Sequence, residues 1–239
     1  MKNKIALVTG GSRGLGKDMA LNLAKKGLDV IITYNTNREE AEKVVSEIED
    51  AGQKAAAIQL NVEDAGSFES FFAEVKTVLQ NKFDASHFDY LVNNAGIGYH
   101  ATLADTSEDK FDQLVNIHFK GVFFLTQRAL EYLNDGGGIV NISSGLARFS
   151  HEGTSTYAAL KGAVEVLSRV WAKELGARKI RVNTVAPGAI ATDFNGGRVR
   201  DNEEINKTIA GATALGRAGL PEDIGPVVAF LRSDDARWI

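Results

Sequence analysis

The sequence predicts an α/β fold in which helices cover both faces of a parallel β-sheet. Short apolar runs recur along the 239 residues, and each is followed by a longer segment with helical periodicity. This alternation is typical of repeated β-α-β units. Most of the runs are apolar throughout, as strands must be when helices lie on both sides of them. We expect one domain over residues 1–239, because the length suits it and no linker interrupts the pattern.

The apolar runs and the helical stretches give the predicted elements in order. Strands are predicted at residues 5–8, 30–32, 55–60, 90–92, 139–142 and 180–185. Helices are predicted at residues 14–26, 37–51, 65–80, 107–133, 155–177 and 221–232. The segment 188–220 follows the last strand and is rich in Gly, Asn, Thr and Asp. Ligands of open parallel sheets bind beyond the carboxyl ends of the strands, so we predict a substrate lid here, with a plain surface excursion as the alternative.

Composition excludes several classes of function. The sequence has no cysteine, which rules out disulfides, thiolate nucleophiles and cysteine-bound zinc. Its four histidines show no metal-ligand spacing, so no metal is expected. The formal net charge is −4 without a long basic run, so nucleic acid is not an expected partner. No stretch resembles a membrane span or a signal peptide, and a cytoplasmic protein is expected.

A glycine-rich turn joins the first predicted strand to the first predicted helix. It reads Thr9-Gly10-Gly11-Ser12-Arg13-Gly14-Leu15-Gly16. Glycines let the backbone turn tightly and approach a pyrophosphate closely, and the helix N-terminus offers free N–H groups to the anion. We therefore predict a dinucleotide-binding loop. Its contacts are expected from Gly10, Ser12, Arg13, Gly14, Leu15 and Gly16.

Further motifs follow this loop along the chain. Asn93-Asn94-Ala95-Gly96 follows the fourth strand, Ser144 follows the fifth, Tyr157-x-x-x-Lys161 begins the next helix, and Pro187-Gly188 follows the sixth strand. Together with the spacing Thr-Gly-x-x-x-Gly-x-Gly, these motifs resemble the short-chain dehydrogenase/reductase family. The resemblance implies a Rossmann-type doubly wound sheet. It also implies an oxidoreductase that passes hydride between a nicotinamide and a ketone or secondary alcohol.

The end of the second strand indicates which nicotinamide cofactor is used. NAD-selective proteins of this fold carry a carboxylate there, which binds the ribose 2′-hydroxyl. Here the place is taken by Tyr34-Asn35-Thr36, and the resemblance implies that Arg13 faces a 2′-phosphate. NADP(H) is therefore the predicted cofactor, with NAD(H) as the alternative. The resemblance adds contacts to the rest of the cofactor from Asn61, Val62, Asn94, Ala95, Gly96, Pro187, Gly188, Ile190 and Thr192.

Tyr157 and Lys161 carry the predicted chemistry. Residues four apart lie on one face of a helix, and a nearby ammonium lowers the pKa of a tyrosine. The resemblance implies that Tyr157 is the general acid in reduction and the base in oxidation, and that Lys161 also binds the nicotinamide ribose. It further implies that Ser144 binds the substrate oxygen, with Ser143 as the rival. Asn116 resembles the asparagine that holds a water of the proton relay.

The residues that flank these positions predict a mainly apolar pocket. A hydrophobic or aromatic small-molecule ketone is the expected substrate, and Arg148 leaves room for an anionic group. Substrate contacts are expected from Ser144, Leu146, Phe149 and Phe194, with Ile97, Arg148 and His151 nearby.

Other functions stay open at this point. Many members of the family reduce 3-oxoacyl groups on acyl carrier protein, which is acidic. Residues 131–138 are acidic where such enzymes carry a basic patch, which argues against that partner, although Arg178 lies at a second position of the patch. Another alternative is a non-catalytic NADP(H)-binding regulatory protein, which would typically lack Tyr157 or Lys161. An epimerase or dehydratase is disfavoured by the glycine spacing.

The resemblance also implies a homo-oligomer, either a tetramer or a dimer. The family normally adds a final strand after the position of Ile239, and that strand usually helps to build the tetramer. The helical segments 107–133 and 155–177 are the expected contact surfaces.

Overall fold

The structure is a computed structural model, and it describes residues 3–239. Its strands are β1 (Ile5–Val8), β2 (Asp29–Tyr34), β3 (Ala55–Gln59), β4 (Phe88–Asn93), β5 (Leu133–Ile142) and β6 (Arg181–Val185). Its α-helices are α1 (Gly14–Lys25), α2 (Arg38–Asp50), α3 (Phe68–Phe83), α4 (Glu108–Val115), α5 (Gly121–Ala129), α6 (Ser155–Glu174), α7 (Arg198–Asp201), α8 (Glu203–Ala212) and α9 (Gly225–Leu231). A π-helical turn, Asn116–Lys120, joins α4 to α5.

The six strands form one parallel sheet in the order β3-β2-β1-β4-β5-β6. Successive strands are added on one side of β1 up to β3 and on its other side from β4 onward. Ligands of doubly wound sheets bind at this switch point, beyond the carboxyl ends of β1 and β4. The predicted Rossmann-type fold is confirmed. Because the strands are parallel, the loops after β1, β4, β5 and β6 all leave the same edge of the sheet.

Two apolar cores hold the sheet between its helices. One core packs α1, α2 and α9 on one face, with buried residues such as Met19, Val44 and Val228. The other packs α3, α5 and the end of α6 on the opposite face, with Phe72, Leu125 and Trp171 among its residues. The central strands therefore have helices packed on both faces of the sheet, which explains why the predicted strands are apolar throughout.

The structure corrects two predicted elements. The helix predicted over 107–133 ends at Ala129 and is interrupted by the π-helical turn. The strand predicted at 139–142 begins earlier, at Leu133, which pairs with Phe88. The pairing register shifts between Phe88 and Tyr90, so the first part of β5 is irregular. The first part of β5 was not predicted because it contains glycines at 136–138, and glycine is depleted in regular strands.

Candidate active site

The glycine-rich turn between β1 and α1 is closely packed. Gly10 and Gly14 have φ angles of +66° and +53°, which favour glycine. A Cβ on Gly16 would lie 2.1 Å from the main-chain oxygen of Gly10 and 2.5 Å from Nδ2 of Asn94. Only glycine therefore fits at position 16 without moving the turn. α1 begins at Gly14, so its first N–H groups lie beside the turn.

Residues after β4 tie this strand to the turn. Nδ2 of Asn94 donates to the main-chain oxygens of Thr9 at 2.9 Å and Gly10 at 3.2 Å. The hydroxyl of Thr9 accepts hydrogen bonds from the main-chain nitrogens of Asn94 at 2.9 Å and Ala95 at 3.0 Å. The carboxyl ends of β1 and β4 are thus held together at the point where the strand order reverses.

The residues predicted to contact the adenosine lie side by side at this edge. Tyr34 is the last residue of β2 and is buried, whereas Asn35 and Thr36 are exposed. Asn61 and Val62 follow β3, which pairs with β2 through its last residue. No side chain in 34–36 is acidic, so a 2′-phosphate would meet no carboxylate from the end of β2.

Arg13 makes a contact that the sequence did not predict. Its side chain is three-quarters exposed, and its Nη1 lies 2.9 Å from Oδ2 of Asp193. Asp193 follows Thr192, which is buried against the turn; a Cβ on Gly14 would lie 3.7 Å from Cβ of Thr192. The ion pair therefore joins the glycine-rich turn to the segment after β6.

The segment 188–220 leaves the sheet after β6, and its two ends lie side by side. Ile190 forms a parallel bridge with Gly219, and the main-chain nitrogen of Ala191 donates to the oxygen of Gly219 at 2.8 Å. α7 and α8 lie between these two points. At its base, the oxygen of Pro187 accepts a hydrogen bond of 2.8 Å from the nitrogen of Gly145. The segment is thus anchored to the loop after β5.

Two adjacent serines follow β5, and the structure separates their roles. The hydroxyl of Ser143 lies 3.0 Å from Oε1 of Glu165 and 3.2 Å from the main-chain oxygen of Lys161, so it is committed to α6. The hydroxyl of Ser144 is hydrogen-bonded to Tyr157. The structure therefore brings Ser144, and not its neighbour, to the predicted proton donor.

Lys161 lies one helical turn after Tyr157 on α6 and is buried. Its Nζ donates to the main-chain oxygen of Ile142 at 2.8 Å and lies 5.5 Å from the centre of the Tyr157 ring. Burial lowers the pKa of Lys161 to about 8. Burial also raises the pKa of Tyr157 to about 12, against the opposing effect of the hydrogen bond from Ser144. The pKa of Tyr157 therefore shifts in the direction opposite to the expected lowering by Lys161, and Tyr157 holds its proton at neutral pH.

The ring beside Tyr157 belongs to His118, which the sequence reasoning missed. The two ring centres are 5.2 Å apart in an edge-to-face arrangement, and His118 is buried. Asn116 is half-buried two residues earlier in the π-helical turn. The role predicted for Asn116, which is to hold a water of the proton relay behind Lys161, stays a prediction.

Apolar side chains lie near Tyr157 and in the loop after β5. Phe149 and Phe194 are 68% and 45% exposed, and the ring of Phe194 lies 6.4 Å from that of Tyr157. The main-chain nitrogen of Leu146 donates to the hydroxyl of Ser144 at 3.2 Å, which places Leu146 at the same loop. Exposed aromatic side chains beside a buried polar group are typical of a small-molecule site.

The site fits the dinucleotide that the glycine pattern implies. The turn needs glycine at three positions, because Gly10 and Gly14 have positive φ angles and a Cβ on Gly16 would meet the main chain of Gly10. Helix α1 presents its N-terminus there, which favours an anion. Tyr157 and Lys161 lie at the same edge of the sheet, beyond β5. In residues 3–239 no cluster of three metal-ligating side chains occurs, and none of the helices there could cross a membrane.

Comparison with known proteins establishes the class. The model of a family described as enoyl-(acyl carrier protein) reductase matches residues 10–239. A trihydroxynaphthalene reductase of Colletotrichum orbiculare is 35% identical over 251 residues, which cover 100% of this chain and 86% of that protein. An uncharacterized oxidoreductase of Methylorubrum extorquens is 37% identical over 239 residues, covering 100% and 94%. The chain belongs to the short-chain dehydrogenase/reductase family, and it is an oxidoreductase.

Solved structures agree with this assignment. The landomycin C-6 ketoreductase LanV, with bound NADP and rabelomycin, matches with a TM-score of 0.90 at 35% identity, covering 100% of this chain and 92% of that one. The reductase LugOII, described as promiscuous and as catalysing keto-reduction at C1 during lugdunomycin biosynthesis, matches with a TM-score of 0.94 at 36% identity, covering 100% and 94%.

Proposed function

We propose that this chain is an NADP(H)-dependent ketone reductase in which Tyr157 is the proton donor. The observation that carries this proposal is the hydrogen bond between Tyr157 and Ser144, beside the buried Lys161. These three side chains lie at the same sheet edge as the glycine-rich turn. Tyr157 is protonated at neutral pH because burial raises its pKa, as a general acid for reduction requires.

The chain's own residues bind the ketone and manage its proton. The nicotinamide, when bound, supplies the hydride. Ser144 orients the carbonyl oxygen, and Tyr157 donates its proton to the alkoxide that forms there. Lys161, with its pKa of about 8, is mostly cationic at pH 7 and stabilises the phenolate that Tyr157 becomes. Oxidation of an alcohol starts from that phenolate, so the high pKa of Tyr157 favours reduction near neutral pH.

The preference for NADP(H) is supported by charge. No carboxylate stands at 34–36, and Arg13 lies exposed beside the glycine-rich turn. LanV carries bound NADP in its structure. We expect a 2′-phosphate to compete with Asp193 for Arg13. The contacts predicted for the adenosine and nicotinamide remain predictions.

We further propose fused-ring aromatic ketones as the substrate class. Phe194 is exposed next to Tyr157 and Phe149 is exposed beside Gly145 in the loop after β5, so both offer aromatic surface to a flat ligand. Relatives whose names include trihydroxynaphthalene reductase share the whole length of this chain. The segment 188–220 would act as the lid, since it carries Phe194 and is anchored at both ends.

Reduction of acyl groups on acyl carrier protein is less well supported. Arg178 donates to Asp135 at 2.7 Å and to the main-chain oxygen of Leu130 at 3.0 Å. Its guanidinium is thus engaged within the chain rather than offered to an acidic partner. Tyr157, Lys161 and Ser144 are all present and lie close together, which argues against a non-catalytic role.

A homo-oligomer and a cytoplasmic location stay predictions. The exposed apolar side chains of α4, α5 and α6 support a contact between copies of the chain. They are Phe111, Phe124, Val166 and Val170.

Substrate class is tested by following NADPH oxidation with β-tetralone, cyclohexanone and acetoacetyl-coenzyme A. The fused ring buries several more carbons than cyclohexanone does, so we expect kcat/KM for β-tetralone to be at least about tenfold higher. A preference for acetoacetyl-coenzyme A would move the assignment to acyl reduction. Oxidation of NADPH with none of the ketones would contradict the proposal.

A further inference from the structure

His118 is a buried imidazole whose hydrogen bonding selects one tautomer. Its Nε2 lies 2.8 Å from the main-chain oxygen of Ile97. A carbonyl oxygen accepts only, so this short contact requires a proton on Nε2. The main-chain nitrogen of Ile97 also lies 3.3 Å from the same atom, but it could donate only to an unprotonated Nε2, so the shorter contact decides between the two tautomers. The ring is therefore the neutral Nε2–H form.

The opposite ring nitrogen, Nδ1, is buried without a hydrogen-bond partner in the part of the chain that the structure describes. Protonation of Nδ1 would place a second buried cation beside Lys161. The titratable groups that face the ring are Tyr157 and Lys161, both from α6, while the segment at 96–97 presents only main chain. Burial and the nearby Lys161 ammonium lower the pKa of His118 to about 3, so the ring stays neutral.

His118 also explains a glycine in the neighbouring loop. A Cβ on Gly96 would lie 2.6 Å from Cε1 of His118. The loop after β4 therefore packs directly on the imidazole, and the imidazole packs edge-to-face with Tyr157. One side chain thus touches both the loop after β4 and the ring of the proton donor.

We propose that His118 is a positioning residue for proton transfer, whose Nε2–H fixes the main chain at Ile97 while its ring fixes the orientation of Tyr157. This inference rests on the proposed reductase function. It assigns two separable tasks to His118: a hydrogen bond to the loop and a ring contact with Tyr157. Both tasks are performed by the neutral ring.

Two substitutions separate the tasks. His118→Phe keeps a ring against Tyr157 but leaves the oxygen of Ile97 without its donor. His118→Gln places an amide N–H near the position of Nε2 and loses the ring. An unpaired buried acceptor is costly, so we expect His118→Phe to lower kcat for ketone reduction by about tenfold or more. We expect His118→Gln to retain the loop geometry, seen as an unchanged KM for NADPH, while kcat falls by about threefold to tenfold because the Tyr157 ring is less well held.

The matched control is His87→Phe, because His87 is exposed and precedes β4 at the opposite edge of the sheet. It should leave both constants unchanged. Should His118→Phe fail to fold, the Gln variant and the spectroscopic measurement still decide the question. Equal kcat in wild type, His118→Phe and His118→Gln would overturn the positioning role.

Nitrogen-15 NMR of histidine-labelled wild-type protein provides a readout that does not depend on turnover. We expect one of the four histidines to remain a neutral Nε2–H imidazole from about pH 5 to 9, and to disappear in His118→Gln. A His118 signal that titrates near pH 6.5, or that shows the Nδ1–H tautomer, would overturn the inference. If the wild type reduces no ketone but shows this signal, the proposed function fails and the tautomer assignment stands.

Discussion

The two ends of the active site are built by different means. At the glycine-rich turn, main chain packs on main chain, and the constraint is the absence of Cβ atoms at Gly10 and Gly16. At the proton-transfer end, the buried side chains of His118 and Lys161 lie beside the half-buried Tyr157, and the pKa of each is displaced from its ordinary value. The first end is therefore defined by steric packing, and the second by the electrostatics of its titratable side chains.

This difference has a consequence for stability. Removing a buried ammonium relieves a cost, whereas adding a methyl group to a packed turn creates one. The proton-transfer end therefore keeps groups that disfavour folding, as the proposed chemistry requires. The glycine-rich turn keeps its glycines because its packing requires them.

Among the substitutions that test this difference between the two ends, Lys161→Met should have the largest effect on activity. Loss of the ammonium should lower kcat for ketone reduction by about 10²-fold to 10⁴-fold. The free energy of unfolding at pH 7 should not fall, because a buried charge is replaced by an apolar chain of similar length. Steady-state kinetics and urea denaturation measure the two effects. Lys173→Met, on an exposed position of the same helix, is the control.

The sign of the pH dependence follows from the lowered pKa of Lys161. Between the folded value of about 8 and the ordinary value of 10.5, the unfolded chain binds more protons at this site than the folded chain. Wild-type stability should therefore gain about 3 kcal/mol relative to Lys161→Met as the pH rises through this window. Ketone reduction should fall over the same window as the ammonium is lost. A constant stability difference between the two proteins would contradict the buried ammonium.

Gly16→Ala should have the next largest effect, and it tests the steric end. The new Cβ would lie 2.1 Å from the oxygen of Gly10, so the turn must move. We expect NADPH affinity, measured by fluorescence titration, to fall by about 10-fold to 100-fold. Gly211→Ala is the matched control, because nothing lies within 4 Å of its Cβ position in α8. That change should leave affinity unchanged and stabilise the helix by about 0.5–1 kcal/mol. Equal affinity in both variants would show that the turn does not hold the cofactor.

How much of this could be predicted from sequence differs between the two ends. A steric requirement appears in the sequence as a spacing of glycines, so the position of the glycine-rich turn and the bounds of β1 were predicted correctly. An electrostatic requirement depends on which side chain is buried, and spacing alone did not reveal that His118 packs against Tyr157. One sequence signal was available. Leu114 and Leu125 are buried four residues before and seven residues after His118, so the histidine lies on the apolar stripe of its helix.

Arg13 and Asp193 should give the smallest effect, because their ion pair is largely exposed. Arg13→Ala should weaken NADPH binding by about tenfold and leave NADH binding nearly unchanged. Asp193→Asn should tighten NADPH binding by only a few-fold, since it frees Arg13 and removes a nearby negative charge. Titrations of both cofactors with both variants measure this. Equal losses for NADH and NADPH in Arg13→Ala would show that Arg13 does not read the 2′-phosphate.

The central claim is that Tyr157 delivers the proton in a hydride transfer to a ketone. The most direct measurement is a single turnover of β-tetralone with NADPH that carries deuterium at both positions of the nicotinamide C4, in wild type and in Tyr157→Phe, with mass spectrometry of the alcohol. The wild type should place deuterium on the carbinol carbon. Tyr157→Phe should bind NADPH normally and form the alcohol about 10²-fold to 10⁴-fold more slowly. Unlabelled alcohol from the wild type, or an equal rate in Tyr157→Phe, would contradict the account.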